Sequence, residues 1–423
     1  MTLPARWYPL RWHPVQQRLW RSPARFRIVA AGRTSGKTEL AKRFIVKELA
    51  RPVPGCTRPT YFAAGPTYAQ MRRVWWQDLK DLVPPEWLAR APYESDLRIA
   101  TIFGSELHVT GMDVPARIEG TQWCGGVVDE SSDVRPGAFA RSIRPALSRH
   151  RGWCWRIGLP KRVGVGIVEF RRVFEAAAAG KAVDAEAFHW LSADILTPEE
   201  IAAVRTELSL EDFQEQYEAR WLDEGGVLYS GFDAERTARA CDYHPRQRVY
   251  VGCYFRGNPM TWVFAHWQTG NLTVFDELHI HHTTTQAMLD ATWQRYPRQR
   301  AGWTFVGDAM SANNRTTASE TDYATVFNDA RFRAAGRQVM TGRPRADRDR
   351  VAAVNRLLCD AAGQRRLFVD PRCAKLLEEL RETVNAEPVD DEGRLADALG
   401  YLVWARAPLR PELQSRPPLR VIA

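Results

Sequence analysis

Nowhere in these 423 residues is there an apolar run approaching the ~18 residues that a membrane-crossing helix needs. The opening segment, MTLPARWYPLRW, also lacks the apolar core of a secretory signal. An intracellular setting away from membranes is the default expectation. The seven cysteines, at positions 56, 124, 154, 241, 253, 359 and 373, include no CxxC pair. That spacing argues against a zinc site and reads as free thiols in a reducing compartment. Internal repeats and low-complexity blocks are absent as well. Lysine is scarce beside arginine, and the formal charge is +9. A polyanionic partner suits that excess, because each cation set against a phosphate releases a counterion. A solvated basic surface accounts for it equally well.

What is present is the balance of a globular protein, 45% hydrophobic and 26% charged, with length enough for two domains. The run 26–31 (FRIVAA), a Gly/Ser/Thr turn and the pattern TELAKRFIVKELA read as strand, loop and helix. A second strand is expected over 60–64 and a helix over 71–82. The segments 97–103 and 106–110 flank Gly104-Ser105 as a hairpin. Segments 126–129 and 153–158 are further strands. Strands alternating with helices predict an α/β domain with a largely parallel sheet. From 197 to 223 the pattern is helical and polar, broken by Gly225-Gly226, where a junction is expected. Three strand-like runs follow, at 248–255, 261–267 and 272–277, as an antiparallel meander. A helix, a strand at 304–307 and C-terminal helices complete the reading. The expected division is 1–200, a helical linker region 201–228, a second domain 229–408, and a flexible tail 409–423 rich in Pro and Arg.

The string AAGRTSGKTE places Gly36-Lys37-Thr38 at a strand-to-helix turn. It is a variant of G-x-x-x-x-G-K-[ST], with Ala31 at the first glycine position and Gly32 one later. The chemistry survives this change. Amides of Gly32, Arg33, Thr34, Ser35 and Gly36 and the helix N-terminus can cradle phosphate. Lys37 can reach the β- and γ-phosphates, and Thr38 can offer a hydroxyl to Mg²⁺. About ninety residues on, GGVVDE is an apolar strand ending in two acids. Asp129 would hold Mg²⁺ and Glu130 would act as general base toward water. Together the two elements predict an ATPase.

These strings, with HPVQQRLW, AAGPTYAQMRRVWW, IEGTQWCGGVVDE, IGLPKR and FQEQYEARWLDEGGVLYSGF, resemble in order and spacing those of viral terminase large subunits of the tailed-phage type. The resemblance covers nearly the whole chain. It implies a P-loop ATPase domain followed by an RNase H-like nuclease domain, and ATP-driven packaging of double-stranded DNA into a procapsid. It assigns adenine contact to Gln16 and transition-state stabilisation to Arg33, or to Arg117 of a neighbouring subunit. IGLPKR falls where the family couples ATP to DNA. The implied partners are double-stranded DNA, a portal protein and procapsid, and a small terminase subunit. A homo-oligomeric ring is implied during packaging, and a monomer in solution. The alternatives are a helicase or remodelling ATPase on nucleic acid, and a DNA-binding assembly protein without turnover.

A nuclease of this kind needs clustered carboxylates holding Mg²⁺ or Mn²⁺. Asp308 in GDAMSANN and Asp397 in GRLADALGYLVWA match the family's second and last acids, and Glu277 in VFDEL is expected nearby. The first acid is missing. In VGCYFRG, Tyr254 stands where aspartate is expected and Arg256 where a glycine usually follows. A neutral phenol is a poor Mg²⁺ ligand. Either cleavage is impaired and the domain grips DNA, or Asp276 or Glu277 completes a one-metal site. The four arginines over 343–350 suggest a loop touching the DNA backbone, or simply a solvated one. His279, His281 and His282 are read as solvent-facing, and the tryptophans as mostly packing.

Overall fold

A computed structural model of the protein describes residues 13–222, 227–255, 258–308, 315–316, 320–342, 347–384 and 394–408. Arg256, the Gly225-Gly226 break, residues 309–314 and 343–346, and the tail 409–423 lie outside the described residues. The chain forms two compact units, one of Met1–Ile201 with Gln214–Asp223, the other of Ala202–Phe213 with Glu224–Ala423. Among the described residues no helix is long and apolar enough to cross a membrane.

The first unit is built on a seven-stranded sheet. Its strands are β1 (Phe26–Ala31), β2 (Thr60–Gly65), β3 (Arg98–Ala100), β4 (Glu106–Gly111), β5 (Gly125–Val128), β6 (Trp153–Gly158) and β7 (Ala185–Trp190). Their order is β3-β4-β2-β5-β6-β1-β7. Every pairing is parallel except β3 with β4. Both faces are covered, so β1 is buried at all six residues. Phe26, Ile28 and Ala30 pack into one layer with Phe62 and Phe170. Val29 and Ala31 pack into the other, against Leu40, Phe44 and Ile45 of the helix Lys37–Leu49. This is why the strand reads as a continuous apolar run rather than an alternating one. The expected strands and the helix after β1 are all present. β7 is an addition that the sequence reading did not contain.

The second unit carries a six-stranded sheet of β8 (Val249–Tyr254), β9 (Met260–Gln268), β10 (Asn271–Ile280), β11 (Trp303–Asp308), β12 (Arg337–Gly342) and β13 (Leu367–Val369). Its order is β12-β11-β8-β9-β10-β13. The expected antiparallel meander is β8-β9-β10, and β11 lies parallel to β8. β12 and β13 extend the two edges in parallel and were not expected. The helix Leu395–Arg406 is buried almost all round. It lies so close to β8 that a methyl on Gly252 would stand 2.3 Å from the carbonyl oxygen of Ala398. Glycine at 252 is what admits the helix backbone to the strand.

Candidate nucleotide and nuclease sites

The phosphate loop leaves β1 at Gly32 and enters the helix Lys37–Leu49 at Gly36. Gly32 has no room for a side chain, since its Cβ would lie 2.3 Å from Ser192 Oγ and 2.8 Å from the carbonyl oxygen of Tyr217. Thr34 and Gly36 adopt left-handed φ values of 56° and 79°, which turns the peptide planes. The loop's carbonyls are bound from behind. Ser192 Oγ donates to the Arg33 carbonyl at 2.6 Å. Gln16 Nε2 and Trp190 Nε1 both donate to the Ser35 carbonyl at 3.0 Å. The Arg33 amide donates to the Gln216 carbonyl at 2.6 Å. Among the described residues, the amides of Thr34, Ser35 and Gly36 have no acceptor. Unmatched donors at a helix N-terminus suit an anion.

Lys37 is buried and donates to the Gly32 carbonyl at 3.3 Å. Burial lowers its pKa below the ordinary lysine value, opposed by the carboxylates of Glu130 and Asp129. A bound polyphosphate would favour the charged ammonium further. Thr38 Oγ1 donates to Asp129, 3.2 Å from Oδ2 and 3.4 Å from Oδ1. Trp75 Nε1 donates to the same carboxylate at 2.9 Å, as does the Glu130 amide. Burial, and next the charge of Glu130, raise the Asp129 pKa above the usual carboxylate range. A hydroxyl and a buried carboxylate side by side are the hard-oxygen donor set that Mg²⁺ prefers, so these residues fit the ion.

Glu130 follows at the end of β5 with φ 48°, a strained conformation for a non-glycine residue of the kind that collects at active sites. Its Oε2 lies 3.4 Å from Lys161 Nζ, and Lys161 also reaches Asp133 at 2.5 Å. Burial depresses the Lys161 pKa, but Glu130 and Asp133 raise it by more, leaving it above the ordinary value. Arg33 is exposed beside the loop. Arg117 is also exposed, 3.5 Å from Asp113 with its guanidinium over the Tyr68 ring. Gln16, Ser35, Gly36, Lys37, Thr38, Asp129 and Glu130 are thus brought to one end of the sheet. Sequence reasoning did not find Lys161, Trp75, Trp190 or Ser192 as parts of this site. Lys161 lies inside IGLPKR, but no local signal pairs it with Glu130.

The candidate nuclease residues are drawn together less completely. The register Gly307↔Cys253 carries the backbone of Asp308 to the same end of the sheet as Tyr254. Tyr254 is opposite Thr261, whose hydroxyl donates to the Arg394 carbonyl just before the helix bearing Asp397. Asp397 is occupied, with Oδ1 2.6 Å from Nη1 of the buried Arg350. Glu277 is occupied too. Its two oxygens accept the amides of Lys375 at 3.1 Å and Leu376 at 2.9 Å, capping the helix Ala374–Glu382. Burial still raises its pKa. Asp276 accepts from the Tyr296 hydroxyl and pairs with Arg295 at 3.1 Å. Glu379, which the sequence reading passed over, is pushed up to about 7 by burial and accepts the Ala396 amide at 2.8 Å. Among the described side chains, a phenol at 254, an Asp397 paired with Arg350 and a capping Glu277 are a poor donor set for Mg²⁺ or Mn²⁺; the side chain of Asp308 lies outside them.

No family model matches the chain. The terminase large subunits of Thermus virus P23-45 and Thermus phage G20c are each 25% identical to it, over 296 and 294 residues. Each match covers 60% of this chain and 59% of the relative, so the chain spans about three fifths of the length of these curated relatives. The large terminase of a thermophilic bacteriophage superposes on 94% of this chain and 99% of its own, with a TM-score of 0.53 at 16% identity. In sequence the chain is similar to phage terminase large subunits. The likeness to the thermophilic phage's terminase extends over the fold of both units. That same terminase in complex with ATP-γ-S is similar as well, with a TM-score of 0.51 at 17% identity over 92% of this chain and 98% of that one.

Proposed function

We propose that this chain is a terminase large subunit that hydrolyses ATP in its first unit and uses the energy to drive double-stranded DNA into a procapsid. The observation that carries this reading is the convergence of unmatched loop amides, Lys37, Thr38, Asp129 and Glu130 at the end of one parallel sheet. In it, the amides of Thr34, Ser35 and Gly36 and the Lys37 ammonium grip the β- and γ-phosphates. Thr38 and Asp129 would hold Mg²⁺, whose charge would offset that of the phosphates. Glu130 takes a proton from the attacking water. Arg33 in cis and Arg117 from a neighbouring subunit meet the charge that develops on the transferred group. Gln16, which braces the loop through Ser35, contacts the adenine in this reading. The partners are a portal on the procapsid, a small terminase subunit and further copies of the chain in a ring, working in the host cytoplasm.

The test is ATP turnover with DNA, portal and procapsids present, read alongside protection of packaged DNA from added nuclease. Both are expected. Strand separation of short duplexes without procapsids, and no protection, would point to a helicase. No turnover at all would point to a silent assembly protein.

The Lys161 ammonium, 3.4 Å from Glu130 Oε2, restrains the Glu130 carboxylate in this reading. Removing that restraint with Lys161→Met is expected to raise turnover without DNA and shrink stimulation by DNA. Unchanged turnover in both conditions would show that the contact restrains nothing.

The second unit is proposed to contact DNA without cutting it efficiently. Plasmid incubated with Mn²⁺ is expected to be nicked at the same low rate by the unaltered chain and by Asp308→Ala. Nicking that Asp308→Ala abolishes would restore the nuclease assignment.

A further inference from the structure

Away from the phosphate loop, at the opposite ends of the same parallel strands, Cys56, Cys124 and His150 converge. One ligand atom from each lies within 4.8 Å of the others. Cys124 is buried and immediately precedes β5, its amide donating to the Thr60 carbonyl at 2.8 Å. Cys56 closes the turn 53–56, its amide donating to the Val53 carbonyl at 3.0 Å. His150 sits half-exposed in the turn before β6. None of the seven cysteines forms a disulfide.

The spacing of the sulfurs is informative. Two Zn–S bonds of about 2.3 Å at the tetrahedral angle put their sulfurs about 3.8 Å apart, and Cys56 Sγ and Cys124 Sγ are 3.7 Å apart. A sulfur and an imidazole nitrogen on the same ion stand about 3.6 Å apart, and a nitrogen of the His150 ring lies within 4.8 Å of both sulfurs. Two thiolates and a neutral imidazole cancel the charge of one divalent ion. Soft sulfur donors favour zinc over the magnesium suited to the other end of the sheet.

We infer that Cys56, Cys124 and His150 form a three-ligand zinc site, with water in the fourth position, that fastens the turn at 53–56 and the turn before β6 to the start of β5. The linear spacing of the cysteines hides it, because the ligands come from three distant segments that meet only once the strands pair. The five steps of extended chain from Cys124 to Asp129 span about 16 Å, so the site is separate from the phosphate loop. Its role is to hold two turns, with no part in hydrolysis.

The full chain, stripped with a chelator under reducing conditions and then exchanged into chelator-free buffer, is titrated with Co²⁺ and then with Zn²⁺. One equivalent of cobalt is expected to give the sulfur-to-cobalt charge-transfer band and the strong visible bands of a tetrahedral site, and zinc is expected to bleach both. Cys56→Ser and His150→Ala lie on half-exposed turns that tolerate substitution, and each is expected to weaken the metal at least about tenfold, in line with losses at metal sites. Independently of any variant, zinc is expected to slow alkylation of Cys56 by N-ethylmaleimide. The inference is overturned by the absence of a charge-transfer band, by a band that survives in both variants, or by Cys56 alkylation that zinc leaves unchanged.

Discussion

Glu130→Gln is expected to leave ATP bound and nearly stop its hydrolysis. A positioned general base is worth roughly 10²–10⁴-fold in rate, which is about 3–5 kcal/mol of barrier at about 1.4 kcal/mol per tenfold. The substitution keeps the shape of the side chain, so the left-handed backbone at 130 (φ 48°) is equally strained before and after. The fold and the nucleotide affinity should therefore survive while kcat falls. Lys37→Ala should behave differently, because it removes a buried cation that touches the ground-state phosphates and leaves Asp129 and Glu130 with less positive charge nearby. Its loss should appear in nucleotide binding as well as in turnover. Steady-state phosphate release, with Kd for ATP followed through tryptophan fluorescence, separates the two. Glu130→Gln turnover within a few-fold of the unaltered chain would remove Glu130 from the reaction.

Gly252→Ala is expected to be among the most damaging single-methyl changes in the second unit. The added carbon would meet the Ala398 carbonyl oxygen at 2.3 Å, the Ala398 carbonyl carbon at 2.9 Å and Val263 Cγ2 at 2.9 Å. Two of those three atoms are backbone of the helix Leu395–Arg406, so no side-chain rotation relieves the clash. The helix must lift from β8, and overpacking of this kind costs about 1–3 kcal/mol or more. A domain of this size loses about 2–4 °C of Tm per kcal/mol, so calorimetry should show a fall of roughly 2–12 °C. A change of a degree or less would mean that the helix does not lie on the strand as described. The same shift should displace Asp397, two residues into that helix.

What the sequence made legible follows the physics of burial. β1 could be read because both its faces are covered, which writes an unbroken apolar run into residues 26–31. The loop after it could be read because phosphate chemistry dictates residue types at fixed spacing. β7, β12 and β13 could not. β7 is an edge strand with only Phe188 and Trp190 buried, and β13 is three residues long. Neither length nor pattern marks them out. The contacts that qualify the two sites were hidden for another reason. Lys161 with Glu130, Arg350 with Asp397, and Glu277 with the amides of Lys375 and Leu376 are set by how strands and helices come together. No local string records them. Tyr254, where the family resemblance leads one to expect an acid, is plain in the sequence, but the partners of Asp397 and Glu277 are not.

The residues that brace the phosphate loop come from the far ends of its unit, Gln16 before it along the chain and Trp190, Ser192, Gln216 and Tyr217 long after it. While the chain is being made, the strand, turn and first helix leave the ribosome long before their supports do. The nascent protein therefore carries a recognisable nucleotide motif that cannot yet hold its shape. In the proposed reading the cradle for ATP becomes rigid only after the segment near 217 has emerged and closed behind the turn, so a fragment cut before that point would retain every motif residue and lack that support.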